Sequence, residues 1–274
     1  MSIITISRIP GSGGNEVARQ LADRKNLNLL DRIAIDKYIQ EHPEYPGWVK
    51  RLDEHTPGLL DRGSDRRSAY LDILKLTVYE TALKGNSLIL GRGGQFLLRD
   101  IPGVFHVRLI CSEERGRERI SLLLEDKDAP VDKIYHRMVH DREGFHKYFF
   151  HADGHDPTYY DLVVNTDHIS QERVLELIDH ASEHIFATET AETARKMIMD
   201  RYLAQKIHNR IIYERQMAVN MLEVTVNKGK VILSGSVVSD KISEACIELA
   251  REEEGVNQVE SLLYLYIPGR YGLY

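Results

Sequence analysis

Ile3-Ile4-Thr5-Ile6-Ser7-Arg8 reads as a strand, and it runs without a break into Ile9-Pro10-Gly11-Ser12-Gly13-Gly14-Asn15 and then into a helix whose apolar face is Val17, Ala18, Leu21 and Ala22. A strand that enters a helix through glycines commits the amino-terminal part of the chain to an α/β layering. The glycines let backbone amides turn inward, and the helix amino terminus adds partial positive charge, so the segment can cradle phosphate oxygens. Taken alone, the same residues can equally form a plain tight turn.

The rest of the chain repeats this alternation. Apolar runs of strand length recur at Leu27–Leu30, Ser87–Leu90, Val104–Ile110 and Leu162–Val164, with helix-like stretches between most of them. One helix carries Leu71, Leu74, Val78 and Ala82 on one face and is predicted to stop at Gly85-Asn86; another carries Val174, Ile178, Ala181 and Ile185. The pattern predicts a parallel sheet with helices on both faces. After Phe186 the rhythm breaks, and from Met197 the order becomes helix, strand, Asn227-Lys228-Gly229 turn, strand, helix, strand. The expected division is residues 1–186, a linker at 187–196, and a small α+β unit at 197–274.

Further segments come after the glycine loop in order: Leu29-Leu30-Asp31-Arg32, Leu88-Ile89-Leu90-Gly91-Arg92-Gly93, Asp141-Arg142-Glu143, and Asp156-Pro157-Thr158-Tyr159-Tyr160-Asp161-Leu162-Val163-Val164-Asn165-Thr166. By their order and spacing, residues Ile3 to Ile185 resemble the cytidylate-kinase-like family, whose fold is of the P-loop kinase type. The resemblance implies a phosphotransferase that uses ATP and Mg2+ and passes the γ-phosphate to a nucleotide such as CMP or to another small acceptor. It assigns Gly11, Ser12, Gly13, Gly14 and Asn15 to the donor, Asp31 and Arg92 to the acceptor, and Arg137, Arg142 and Lys147 to a lid that closes over the phosphates. The run Gly229-Lys230-Val231-Ile232-Leu233-Ser234-Gly235, with Gly255-Val256-Asn257-Gln258-Val259 after it, resembles the BON module and reads as an interaction unit, one through which the chain can form a homo-oligomer.

Phosphoryl transfer asks a protein for charge compensation, magnesium and exclusion of water more than for covalent chemistry. Arginine suits that task, because its fork binds phosphate oxygens bidentately and stays charged. Each candidate also has a plain structural reading: Arg92 as a surface arginine, Arg142 as part of a solvated ion-pair helix, Asp31 as a helix cap. Relative to GxxxxGK[ST], Gly14 stands at the lysine position, with Asn15-Glu16 directly after it. The family commonly places an arginine where this chain has Asn15, and a second lid arginine is replaced by Gly144. Arg8 and Arg19 are the candidates to supply the missing charge. A nucleotide sensor without turnover, acting through the BON-like unit, is therefore the alternative expectation.

Composition removes several other classes. The net charge of −6 disfavours nucleic acid as a partner, although the Arg62 to Arg67 cluster can meet a smaller anion. No apolar stretch reaches the ~20 residues that span a bilayer, and the amino terminus reads as a strand and not as an export signal, so the cytoplasm is the expected compartment. Cys111 and Cys246 fall in different units, outside any CxxC pair, and suggest neither a disulfide nor a thiolate metal site. His136 and His140 share a helical face, but the HExxH glutamate is missing, and no protein-held metal site is expected. Arg251-Glu252-Glu253-Glu254 reads as the end of an exposed helix, and Tyr264, Tyr266, Tyr271 and Tyr274 as a contact strip or as packing within their own unit.

Overall fold

The computed structural model describes residues 2–43, 45, 64–186 and 191–266. The side chains of the Arg62 to Arg67 cluster, residues 187–190 of the expected linker, and Tyr271 and Tyr274 lie outside the described residues.

Strand β1 (Ile3–Arg8) is the middle of a sheet ordered β2-β3-β1-β4-β5, with β2 at Asn28–Leu30, β3 at Ser87–Leu90, β4 at Val104–Ile110 and β5 at Leu162–Asn165. Every pairing is parallel, with Ile3 to Ile6 opposite Ser87 to Leu90 on one side and Val104 to Val107 on the other. Helices cover both faces, which is why Ile3, Ile4 and Ile6 are all fully buried and the strand reads as a continuous apolar run. Ile3 and Ile89 face a core shared with α2 (Arg32–Glu41), α3 (Ser64–Lys84), α4 (Gly94–Leu97) and α6 (Val131–Phe150). Ile4, Ile6, Leu88 and Leu90 face α1 (Gly14–Lys25) and α7 (Gln171–Phe186). Because the strand order reverses at β1, the crevice at its carboxyl end is where such a sheet receives ligands.

The helix expected from Met197 begins at Ala191, and α8 (Ala191–Asn209) serves two cores. Ala194 and Ile198 pack with the α3 side of the first core, whereas Ile207 and Ile211 pack with Val231, Leu233, Cys246 and Leu249. A π-helical turn, Arg210–Glu214, then leads into a second sheet of β6 (Val219–Asn227), β7 (Lys230–Val237) and β8 (Gln258–Leu265), with α9 (Asp240–Glu252) on the connection between the last two. β6 and β7 are antiparallel and close through Lys228 (φ 51°) and Gly229 (φ 78°), the pair of positive φ values that a tight hairpin turn needs; β7 and β8 are parallel.

Polar contacts bind the two sheets' helices together. Asp72 on α3 is buried and accepts from Gln205 Nε2 (3.1 Å) and Tyr213 Oη (2.9 Å), while Asn209 Nδ2 donates to Tyr45 Oη (3.0 Å). The acidic run that ends α9 is exposed at Arg251, Glu252 and Glu254, as its charge suggests, but not at Glu253. Glu253 has a side chain only 4% exposed, and it ion-pairs with Lys206 (2.7 Å) and with Arg210. Burial alone pushes its carboxyl up, but the hydrogen bonds from Lys206 and Arg210 outweigh that and hold it below the usual range. Among the described residues no helix is long and apolar enough to cross a membrane.

Candidate phosphate-binding site

The loop between β1 and α1 is fixed from behind. Gly11 has φ 75°, and a Cβ on it would strike the backbone of Gly116 in α5 (Glu113–Leu123), so the loop and that helix meet at two residues without side chains. Arg119, one turn along α5, donates from Nη1 to Gly11 O (3.1 Å) and to Thr166 Oγ1 (2.9 Å), and from Nη2 to Thr166 O (2.7 Å). The Thr166 hydroxyl donates in turn to Ser12 O (3.1 Å). With the Ser12 carbonyl tied back, the trans peptide turns the Gly13 N–H to the opposite side. Ser12 is buried and its hydroxyl donates to Ile9 O (2.9 Å), bracing the turn. Gly13 caps α1 in the left-handed conformation (φ 76°), which leaves the first-turn amides of that helix without a side-chain cap.

A cavity of about 320 Å³ opens on this loop. Arg8, Gly11, Gly13, Gly14 and Asn15 line one part of it, Arg119 and Arg142 lie along it, and Ile120, Leu122, Leu123 and Met138 form an apolar wall. Leu122 and Leu123 are 72% and 74% exposed, so this wall is open to solvent. Cys111 lies behind the loop, its Sγ 3.6 Å from Pro10 O, and burial pushes its thiol pKa up, so it does not supply a thiolate.

The predicted residues divide into a converging group and an outlying one. Arg8 lies across the loop, with Nε donating to Asn15 Oδ1 (3.1 Å), and its guanidinium rests where a Gly91 side chain would be. Arg142, from α6, donates to the Arg8 carbonyl (3.1 Å), which ties it to the end of β1 beside the loop. Arg92 is buried rather than a surface residue, and its Nη1 donates to Tyr70 Oη (2.9 Å). Arg8, Arg92 and Arg142 all border one small cavity at the carboxyl ends of β1 and β3. Asp31 caps α2, accepting from Ala34 N (3.0 Å), and stands outside that cavity. Arg137 is 69% exposed beside Asp141, Lys147 is exposed, and Arg19 is exposed on α1, so none of these reaches the loop in this conformation.

Sequence reasoning passed over Arg119 and Arg108. Arg119 sits in a charged run that looks solvated; the available signal was Gly116, a lone glycine inside a helix, which marks a close backbone approach. Arg108 is an arginine inside β4, whose other residues are apolar apart from His106, and in a strand covered on both faces it has no solvated face to occupy.

The cytidylate kinase-like family matches residues 3–168 and the BON domain matches residues 200–264. A cytidylate kinase from Methanocaldococcus jannaschii is 25% identical over 199 residues, which cover 67% of this chain and 98% of that protein. Among solved structures, an uncharacterized protein from Eubacterium ventriosum superposes with a TM-score of 0.52 at 17% identity, over 69% of this chain and 100% of that one, and so shares the fold. With the strand, glycine loop and converging arginines already in place, the match over most of the first sheet and its helices means that the chain belongs to the cytidylate kinase-like family and carries a BON domain after it.

Proposed function

We propose that the chain is an ATP-dependent kinase that transfers the γ-phosphate to a small acceptor, with CMP as the first candidate. The observation that carries this reading is the 320 Å³ cavity, with a glycine cradle and three arginines at one part and an apolar wall at the other. That division fits a nucleotide, whose phosphates need amides and cations and whose base needs an apolar surface. Gly11 to Asn15 hold the donor phosphates, with Arg8 supplying the charge that the absent loop lysine leaves out. Magnesium takes most of its ligands from nucleotide phosphates and water, which suits a site where Glu16 is the carboxylate on the cavity wall. Bound magnesium would neutralise charge on the transferring phosphate.

The acceptor side rests on Arg92, fixed by Tyr70, and on Asp31 at the edge of the sheet. Arg142 bridges donor and acceptor sides, and Arg137 and Lys147 join it only when α6 moves as a lid. CMP is favoured by the name of the Methanocaldococcus jannaschii relative. Coupled turnover with ATP, magnesium and CMP, dCMP, UMP or AMP tests the reading, and no transfer to any of the four sinks it.

A sensor without turnover is the second reading. It is favoured by Asn15, a neutral residue at a position where the family commonly has an arginine, and by α8, which joins the core beneath the acceptor side to that of the BON domain. It requires saturable nucleotide binding with negligible product.

A further inference from the structure

Arg108 is 5% exposed, and its three hydrogen-bond partners are neutral: Nη1 donates to Ser7 Oγ (3.1 Å) and Tyr160 Oη (3.1 Å), and Nη2 donates to His155 Nδ1 (3.1 Å). No carboxylate among the described residues lies within ion-pair distance of it. A guanidinium taken out of water without a counter-charge is costly, and an anion arriving beside it would offset that cost. Arg8 and Arg142 border the same small cavity as Arg108, and among the described residues the only acid on its wall is Glu143. That acid is already engaged, accepting from His155 at 2.8 Å.

The hydrogen bonds fix the chemistry of the entrance. His155 accepts from Arg108 at Nδ1, so the proton of the neutral ring is at Nε2, where it is donated to Glu143 Oε1. His155 is therefore a link between the buried cation on β4 and α6. Its side chain is 51% exposed and that of Glu143 36%, whereas Arg108 behind them is buried. The cavity beside Arg108 is only about 20 Å³, room for a water molecule, so a larger anion enters only when His155 swings toward solvent.

We infer that Arg108 is a phosphate receptor: it binds a phosphate dianion at the floor of the crevice together with Arg8 and Arg142, and His155 is its gate. Tyr160 and Ser7 hold the guanidinium in place from the side away from His155. The phosphate is either that of the acceptor or a free phosphate ion. The site itself stands on the geometry of β4, and only the identification of the bearer as an acceptor nucleotide rests on the kinase reading.

The experiment is titration and thermal melting of the full chain with inorganic phosphate, CMP and cytidine, for the wild type and for Arg108→Met, Arg108→Lys and His155→Ala. Inorganic phosphate is expected to raise the Tm of the wild type, and Arg108→Met to weaken phosphate or CMP binding by about 10- to 100-fold while ATP binding at the glycine loop stays within about threefold. Without phosphate, Arg108→Met should melt at or above the wild-type temperature, because it removes a buried charge; a purely structural arginine would instead lower it. His155→Ala should leave phosphate binding intact or tighter. If Arg108→Met does not fold, Arg108→Lys, which keeps the charge but not the fork, must still lose affinity for the phosphate-bearing ligands and not for cytidine. Stabilisation by CMP and by phosphate alike identifies the dianion as the ligand, and by CMP alone identifies the acceptor's phosphate. Equal phosphate and CMP affinity in wild type and both Arg108 variants overturns the inference. Product formation with an unchanged KM for CMP in Arg108→Lys would leave the kinase reading standing and this site refuted; phosphate binding through Arg108 without any turnover would do the reverse.

Discussion

Arg8 Nε donates to Asn15 Oδ1 at 3.1 Å across the glycine loop, so the cation on the last residue of β1 is steered by the residue that comes after the glycines. Gly14 and Gly91 leave the space in which that side chain lies: a Cβ at Gly14 would come within 2.6 Å of the Arg8 Cβ, and one at Gly91 would strike its guanidinium. On the proposed reading, a charge normally supplied within the loop comes from the strand before it. Arg8→Met should therefore lower turnover by about 100-fold or more, the size of effect seen when one charge-stabilising donor is removed from a reacting centre. Asn15→Ala, which only loosens the steering, should cost less than tenfold. Steady-state kinetics on both variants checks the ordering, and equal losses would contradict it.

Gly11→Ala should damage the loop rather than the sheet. The new Cβ meets the Gly116 backbone, which cannot give way as a flexible side chain can, and the residue must also hold φ 75°. A loss of about 1–3 kcal/mol of stability is expected, together with a marked loss of ATP affinity. Chemical denaturation and titration calorimetry measure the two effects; unchanged ATP affinity would show that the loop is only a turn.

Tyr70→Phe removes the hydroxyl that receives Arg92 Nη1 at 2.9 Å and leaves the aromatic packing beneath α6 in place. The expected result is a KM for the acceptor raised about three- to tenfold, with KM for ATP unchanged. A rise in the ATP value instead would move Arg92 to the donor side.

The sheet was legible because both of its faces are covered: buried strands such as Ile3 to Ile6 and Ser87 to Leu90 leave mostly apolar runs that stand out in the sequence. The glycine loop was legible for a similar local reason, since it sits between a strand and an amphipathic helix. Arg142 and Arg92 were recognisable as candidates, but whether they face water or the crevice depends on how α6 and the turn after β3 pack, which no short-range pattern encodes. Glu253 shows the same limit from the other direction. Three consecutive glutamates look solvated, yet the middle one is buried because Lys206 and Arg210, more than forty positions away along the chain, come back to meet it. Arg108 was hidden because one charge in a strand has no periodicity.

Glu253 also makes acid stability predictable. Its folded-state carboxyl is held low, burial opposing the charge and the Lys206 and Arg210 hydrogen bonds overcoming that opposition. The stabilisation is therefore complete above the unfolded glutamate value near pH ~4.3 and is lost as pH falls through the lower folded value. Glu253→Gln should cost about 2 kcal/mol at pH 7, discounted for the 38% exposure of Lys206. Melting curves from pH 6 to pH 3.5 should show the wild type losing more than the variant; parallel curves would show that Glu253 contributes nothing to acid stability.

Calorimetric titration with ATP and with CMP, each with magnesium, and then a product assay on the same sample, tests the central claim that the glycine cradle and its arginines transfer phosphate. The expected result is saturable binding of both ligands and formation of ADP with a phosphorylated acceptor. ATP binding without product would leave a sensor in place of a kinase, and no ATP binding at all would contradict the claim outright.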